Sequence, residues 1–120
     1  MPDPALEAAI REALEKPTGE LTVEDLESLT QLDAAGRGVV GLEGLQHCAN
    51  LTWLDLSSNA VEDLAQLESG VPLQYFNLAA NQVADITPLS GHGALRCLNL
   101  GDNLVSDLAP LAGLPSPGWL

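Results

Sequence analysis

Apolar residues recur along this chain with a fixed period of 22 residues. Four blocks align without a gap, and they begin at Leu29, Leu51, Leu73 and Leu95. The last three blocks share the pattern LxxLxLxxNxVxxLxxL, with Phe76 and Ile86 in two of the Leu positions. Such a period is typical of a solenoid, because one repeat cannot bury its apolar side without its neighbours.

Each block begins with the alternation of a short β-strand. Leu54 and Leu56 point inward, whereas Trp53, Asp55 and Ser57 point outward. The later apolar positions, such as Val61 and Leu64, come three apart, which predicts a 3₁₀ or loosely helical return. Stacked coils of this kind form a parallel sheet over a continuous leucine core, so the sequence predicts an α/β solenoid with a short parallel sheet and 3₁₀ or loop returns.

The segment before the blocks predicts two helices. Asp3 and Pro4 are favourable N-cap and N1 residues for a helix over residues 5–16, and Pro17 then ends it. Its apolar face consists of Leu6, Ala9, Ile10 and Leu14. Thr22 and Asp25 match a capping box for a second short helix that carries Val23, Leu26 and Leu29.

These helices divide the chain into two regions. We expect a helical N-terminal cap over residues 1–28 and a repeat array over residues 29–120. The array consists of blocks 29–50, 51–72, 73–94 and 95–116 and a partial block 117–120. The first block departs from the pattern at Ala34, Arg37 and Gly41, and we interpret it as the junction between cap and array.

Two polar columns run through the array. Asn59, Asn81 and Asn103 follow the strands, where their amides are expected to satisfy buried backbone groups of a neighbouring coil as a structural ladder. Asp63, Asp85 and Asp107 precede the returns, where a carboxylate can cap free N–H groups. A calcium site is the alternative for this second column, although its members come one per coil without the local cluster of an EF-hand loop.

The composition narrows the possible partners. Only 3% of the residues are aromatic, and 17 acidic residues face 4 basic ones for a net charge of -13. A phosphate backbone or an anionic membrane surface would be repelled, so we expect no nucleic-acid partner, whereas a basic protein or a cation remains compatible. The charge also fits a salt-adapted or GC-rich source, in which case it serves solubility.

No residue set predicts an enzyme, a cofactor or a metal. His47 and His92 have no triad-like companions, and the glycines at positions 36, 38 and 41 do not match a phosphate loop. Cys48 and Cys97 are too few for a disulfide framework or a zinc site. The sequence has no export signal after Met1 and no apolar run long enough for membrane insertion, so as written it predicts a cytoplasmic protein.

Most of the aromatic residues share one outward column. The third position of the blocks reads Gln31, Trp53, Tyr75, Cys97 and Trp119. Aligned aromatic residues on an outward face suggest a binding stripe, and the alternative is cross-strand stacking that stabilises the sheet. A second outward column, made of Asp33, Asp55, Asn77 and Asn99, could accept hydrogen bonds from a partner.

The blocks LTWLDLSSNAVEDLAQL, LQYFNLAANQVADITPL and LRCLNLGDNLVSDLAPL resemble the 22-residue repeats of bacterial internalin-like leucine-rich-repeat proteins. The opening PDPALEAAIREAL is similar to the helical caps that precede such arrays. The resemblance implies protein recognition on the concave sheet face, hereafter the strand face, often in secreted or cell-surface proteins. The implied binding positions are Gln31, Asp33, Trp53, Asp55, Ser57, Tyr75, Asn77, Cys97, Asn99 and Trp119.

Two further expectations concern the end of the array. Trp119 and Leu120 would begin a fifth strand without a coil to cover it, so we expect self-association through this end. The alternative to protein binding is structural, because the chain could be the N-terminal lid and spacer of a longer solenoid with no ligand of its own.

Overall fold

Four short strands form one parallel sheet in the order in which they occur along the chain. The computed structural model describes residues 2–68, 71–112 and 114. Helices α1 and α2 span Pro4–Leu14 and Val23–Glu27, and strands β1 to β4 span Gln31–Asp33, Trp53–Asp55, Tyr75–Asn77 and Cys97–Asn99. Four 3₁₀ turns follow the strands, at Leu45–His47, Ala65–Leu67, Thr87–Leu89 and Ala109–Leu111.

The strand register confirms the 22-residue period. Trp53 lies opposite Gln31 on one side and opposite Tyr75 on the other, and Tyr75 lies opposite Cys97. One coil therefore adds one strand to the sheet. The partial block 117–120 lies outside the described residues.

The core consists of columns of aliphatic side chains that run through successive coils. Leu54, Leu56 and Val61 of the second coil are fully buried, and Phe76 fills a leucine position of the third coil at the same depth. Because burying one such side chain contributes roughly 1.5 to 3 kcal/mol, these columns are the main source of stability of the array.

Helix α1 ends earlier than the sequence predicts. The predicted end was Lys16, whereas the helix stops at Leu14 because Glu15 adopts a left-handed conformation with a φ of 56°. The backbone N–H of Lys16 then bonds to the carbonyl of Arg11 at 3.0 Å, as in a Schellman motif. Leu6 and Ile10 on the predicted apolar face are buried, and α1 packs against β1.

Helix α2 has the predicted capping box. The hydroxyl of Thr22 accepts a bond of 3.1 Å from the N–H of Asp25, whose carboxylate accepts one of 2.9 Å from the N–H of Thr22. Of the apolar residues predicted for this helix, Leu26 is buried, whereas Val23 is 53% exposed. Leu29 is buried but lies beyond the end of the helix.

The first coil differs from the other three at its junction with the helices. Its 3₁₀ turn begins at Leu45, after Gly44 with a φ of 112°, which is two block positions later than in the other coils. Arg37, which replaces the ladder Asn, forms an ion pair with Glu12 of α1. The N–H of Gly41 bonds to the carboxylate of Asp3 at 2.8 Å, so two of the atypical residues of this block contact the N-terminal segment.

Among the residues that the structure describes, we find no helix of the length and apolar character that a membrane crossing requires.

Candidate functional site

The strand face carries the predicted outward residues of all four strands. Trp53, Asp55, Tyr75, Asn77 and Cys97 are half-buried on this face. Gln31, Asp33 and Asn99 are exposed there. The predicted position Trp119 lies outside the described residues.

Trp53 and Tyr75 stack on one another across strands β2 and β3. Their ring centroids are 5.0 Å apart, and the ring planes differ by 7°. This is the cross-strand contact that the structural alternative predicts, and offset stacking of aromatic side chains stabilises by about 0.5 to 1.5 kcal/mol beyond burial. One face of each ring is covered by the other ring, so the pair presents a preformed aromatic surface at the centre of the strand face.

The second outward column has a local role that the sequence analysis did not assign. Asp33, Asp55, Asn77 and Asn99 each accept a hydrogen bond on Oδ1 from the backbone N–H two residues later, at 2.9 to 3.1 Å. The hydroxyl of Ser57 also donates to Asp55, at 2.7 Å. These Asx turns end each strand, and they hold the carboxylate and amide groups in fixed orientations.

The ladder asparagines form hydrogen bonds to backbone groups of the preceding coil. Asn81 accepts a bond of 3.0 Å from the N–H of Val61, and its amide nitrogen donates to the carbonyl of Leu56 at 2.8 Å. Asn59 and Asn103 make the equivalent bonds to the coils before them. Each amide therefore satisfies backbone groups of the preceding coil as well as its own turn.

A left-handed residue directly precedes each ladder asparagine. Ser58, Ala80 and Asp102 have φ values of 58°, 58° and 55°, and Gly36 occupies the same position in the first coil with a φ of 65°. The chain must turn sharply here to direct the asparagine inward. Glycine is the residue type that adopts this conformation without steric cost, and only the first coil uses it.

The aspartate column before the returns has the predicted capping role. Asp63, Asp85 and Asp107 each accept a bond of 2.9 Å from the first backbone N–H of the following 3₁₀ turn. For Asp85, hydrogen bonds from the hydroxyl and the N–H of Thr87 lower the pKa of the carboxyl below its usual value. Among the described residues, no group of three or more His, Cys, Asp or Glu side chains is arranged to hold a metal ion.

The two histidines and the buried cysteine occupy separate places in the coils. His92 is buried, and its Nε2 lies 2.5 Å from the carbonyl oxygen of Leu67 in the preceding coil, whereas His47 is exposed in the first 3₁₀ turn. Cys48 is fully buried, and burial raises the pKa of its thiol to about 11. These contacts make His92 and Cys48 parts of the packing between coils.

Three of the four basic residues form ion pairs with acidic residues of the N-terminal helices. Arg11 pairs with Glu7, Lys16 pairs with Asp25, and Arg37 pairs with Glu12. A side-chain hydrogen bond and the charge of Arg37 lower the pKa of Glu12. Since Arg96 is the remaining basic residue, the array beyond Arg37 has a strong excess of negative charge.

One strand and one 3₁₀ return per 22 residues, leucine columns and an asparagine ladder define a leucine-rich-repeat protein. Comparison with solved structures refines this class. The chain matches an internalin (inlF) from Listeria monocytogenes over 100% of its length, with 28% identity and a TM-score of 0.70. It matches an internalin C2 from the same organism over 99% of its length, with 31% identity and a TM-score of 0.76. The chain thus has the fold of a leucine-rich-repeat domain and is similar to the internalins over nearly its whole length.

The coverage of these relatives is partial. The chain spans 43% of the length of the first internalin structure and 63% of the second. The chain also matches a structure of the CBM51-2 and INT domains of Clostridium perfringens ZmpB, with 33% identity and a TM-score of 0.54. This match covers 71% of the present chain and 19% of the ZmpB chain. Scans against family models and curated proteins gave no match.

Proposed function

We propose that the strand face binds another protein and that the stacked pair of Trp53 and Tyr75 is the centre of the interface. The observation that carries this proposal is the position of the pair on the outward side of the sheet, where a leucine core does not require it. Large aromatic side chains are the commonest anchors of protein interfaces, and a rigid pair loses little side-chain entropy on binding.

The polar residues beside the pair support the same function. Each Asx turn fixes one oxygen atom of Asp33, Asp55, Asn77 or Asn99 and thereby orients the rest of the group. Preorganised acceptors on the aspartates and N–H donors on the asparagines give directional bonds to a partner at low entropic cost. The strand face therefore has the composition of an interface, with an aromatic centre and a polar border.

The charge of the array favours a partner with a basic surface. Residues 29–120 include nine acidic and two basic residues, and one of the two basic residues pairs with Glu12. A positive partner surface would be attracted over several ångströms and would associate faster at low salt.

The test begins with a photo-crosslinking amino acid at Gln31 on the strand face and, in a matched sample, at Glu62 on the return segment. A partner that reacts at position 31 and not at position 62 is purified, and its affinity is measured for a Trp53→Ala, Tyr75→Ala double variant. We expect the melting temperature to fall by only a few degrees while affinity falls by roughly 2 kcal/mol or more. A Glu62→Ala, Gln82→Ala double variant is the control and should bind normally.

The structural alternative is a lid and spacer for a longer solenoid. It is favoured by the packing of α1 on β1 and by the cross-strand stack itself. In that case the Trp53→Ala, Tyr75→Ala variant melts well below the parent protein and crosslinking shows no preference for the strand face.

A further inference from the structure

The polar column of the strand face has two chemically different halves. On β1 and β2 it consists of the carboxylates Asp33 and Asp55, and on β3 and β4 it consists of the amides Asn77 and Asn99. A positively charged side chain of a partner is therefore attracted most strongly over the first two strands. The aromatic pair lies across the boundary between the halves, with Trp53 on the acidic side.

Because Tyr75 of β3 stacks on one face of the Trp53 ring and β1 is the neighbour of β2 on the opposite side, we place the other ring face on the side of β1. The residue in register on β1 is Gln31, which is exposed. Neighbouring strands lie about 4.8 Å apart, which is close to the spacing at which a flat group stacks on an aromatic ring. A planar side chain from a partner can therefore lie over this face of the indole ring above Gln31.

Asp55 is the acceptor closest in the chain to this ring. The N–H and the hydroxyl of Ser57 donate to its Oδ1 at 2.9 and 2.7 Å, so the carboxylate is held in place while Oδ2 receives no bond from the described residues. No ion pair within the described part of the chain includes Asp55. Asp33 differs, because over the described ranges its carboxylate accepts only from the N–H of Ala35, without a second donor to hold it.

We propose that this part of the strand face accepts an arginine side chain of a protein partner, with the guanidinium stacked on Trp53 and hydrogen-bonded to Asp55. Arginine fits better than lysine because its planar group can stack and donate in its own plane at the same time. The inference rests on the proposed function, since it assigns the chemistry of the partner at that same face.

The experiment uses three blocked hexapeptides that differ only in two side chains, which are arginine, lysine or the neutral isostere citrulline. Each is titrated at physiological salt into the 120-residue chain carrying Trp119→Phe, so that Trp53 is the single tryptophan. Binding is followed by the indole N–H resonance of Trp53. We expect the arginine peptide to bind at least about fivefold more tightly than the lysine peptide, and the citrulline peptide to bind most weakly.

Two charge-matched variants separate this site from general attraction to an acidic protein. Asp55→Asn should weaken binding of the arginine peptide by about fivefold, because the substitution removes a charged partner of the guanidinium. Glu62→Gln removes the same charge from the return segment and should change binding by less than about twofold, since exposed distant charges are screened.

Equal binding of the arginine and lysine peptides, an unchanged Trp53 resonance, or equal effects of Asp55→Asn and Glu62→Gln would each overturn the arginine site. The proposed function fails separately. If a partner crosslinks at position 31 and depends on Trp53 and Tyr75 while the peptides show no arginine preference, the face binds a protein through other chemistry.

Discussion

The carboxylate of Asp3 accepts a hydrogen bond of 2.8 Å from the backbone N–H of Gly41 in the first coil. Its Oδ2 also accepts from Val40 at 2.8 Å, while its Oδ1 caps helix α1 through bonds from Ala5 and Leu6 at 3.0 and 3.1 Å. One side chain therefore caps the N-terminus of α1 and links that helix to the first coil of the array by hydrogen bonds. We call this set of four bonds the Asp3 clasp.

Removal of the Asp3 clasp should destabilise the protein and change how stability depends on pH. Partial burial alone would raise the pKa of Asp3, but bonds from Gly41, Val40, Leu6 and Ala5 outweigh it and leave the pKa lowered. The ionised form therefore stabilises the fold above the unfolded-state pKa near 4, and this contribution is lost as pH falls through the lower folded-state pKa. Asp3→Ala should cost about 1 to 2 kcal/mol at pH 7 in chemical denaturation.

The matched control for the Asp3 clasp is Glu62→Gln, which removes an exposed carboxylate and should leave stability at pH 7 unchanged. Asp3→Asn retains one acceptor oxygen and should fall between the parent and Asp3→Ala. The charge of Asp3 does not contribute to stability if Asp3→Ala and the parent protein lose stability in parallel between pH 6 and pH 3, and the clasp has no energetic role if the two curves also coincide.

Replacement of Asn81 should be more damaging than replacement of Asn77. Asn81 is 7% exposed and makes four hydrogen bonds to backbone groups, whereas Asn77 accepts one bond of 3.0 Å from Ala79. Asn81→Ala leaves buried groups unpaired at a cost of about 1 to 3 kcal/mol, and Asn77→Ala loses a single turn bond worth about 1 kcal/mol or less. Thermal melts measure the difference, and equal melting temperatures would contradict the ladder assignment.

Ala80→Gly should stabilise the protein. Ala80 has a φ of 58°, a conformation that costs a residue with a Cβ about 1 to 2 kcal/mol. Glycine removes this cost, but its greater freedom in the unfolded chain offsets part of the stabilisation. We expect a net gain of roughly 0.5 kcal/mol or more in the free energy of unfolding. Ala79→Gly, at a neighbouring position outside the left-handed region, is the control and should have the opposite sign.

Both cysteines should remain reduced, and they should differ in reactivity. Both are free in the structure, Cys48 buried and Cys97 half-buried on the strand face. With a pKa of about 11, only about one Cys48 thiol in a thousand is ionised at pH 8. A thiol reagent should therefore modify Cys97 within minutes and Cys48 only after denaturant is added. A disulfide between the two, detected by mass spectrometry, would contradict the observed strand register.

The 120-residue chain should self-associate when its charge is screened. Leu108 belongs to the same column as Leu64 and Ile86, but it is 48% exposed whereas each of them is 1% exposed. An apolar column that reaches the surface favours contact with another apolar surface. Light scattering at high protein and salt concentration should show oligomers, and Leu108→Glu should reduce them. A monomer under these conditions would show that this surface does not drive association.

The parts of the fold that the sequence predicts best are those that the period repeats. Leucine columns, ladder asparagines and return aspartates occur at the same positions in three blocks, and each repeated residue type has one physical role there. The capping box of Thr22 and Asp25 was also predictable, since it is local in sequence.

The remaining features depend on contacts that the period does not show. Arg37 replaces a ladder asparagine because the first coil has α1 beside it in place of a preceding coil, and its partner Glu12 is 25 residues away in the chain. The early end of α1 depends on the conformation of a single residue, Glu15. For the strand face, the repeated Asp or Asn at the fifth block position is a sufficient signal for the Asx turns, although the outward position of these side chains predicts only bonds to a partner.

The asparagine ladder also gives the array a direction. Each ladder amide bonds back toward the helices, as Asn81 does to Val61 and Leu56, so a coil is held in part by groups that belong to the coil after it. Because stability in a stacked array is carried by contacts between nearest neighbours, loss of one coil releases the polar groups of the coil before it. Unfolding that starts at the end remote from α1 can therefore advance coil by coil. The helices at the other end are held by ion pairs and by Asp3, so this end of the array should unfold last.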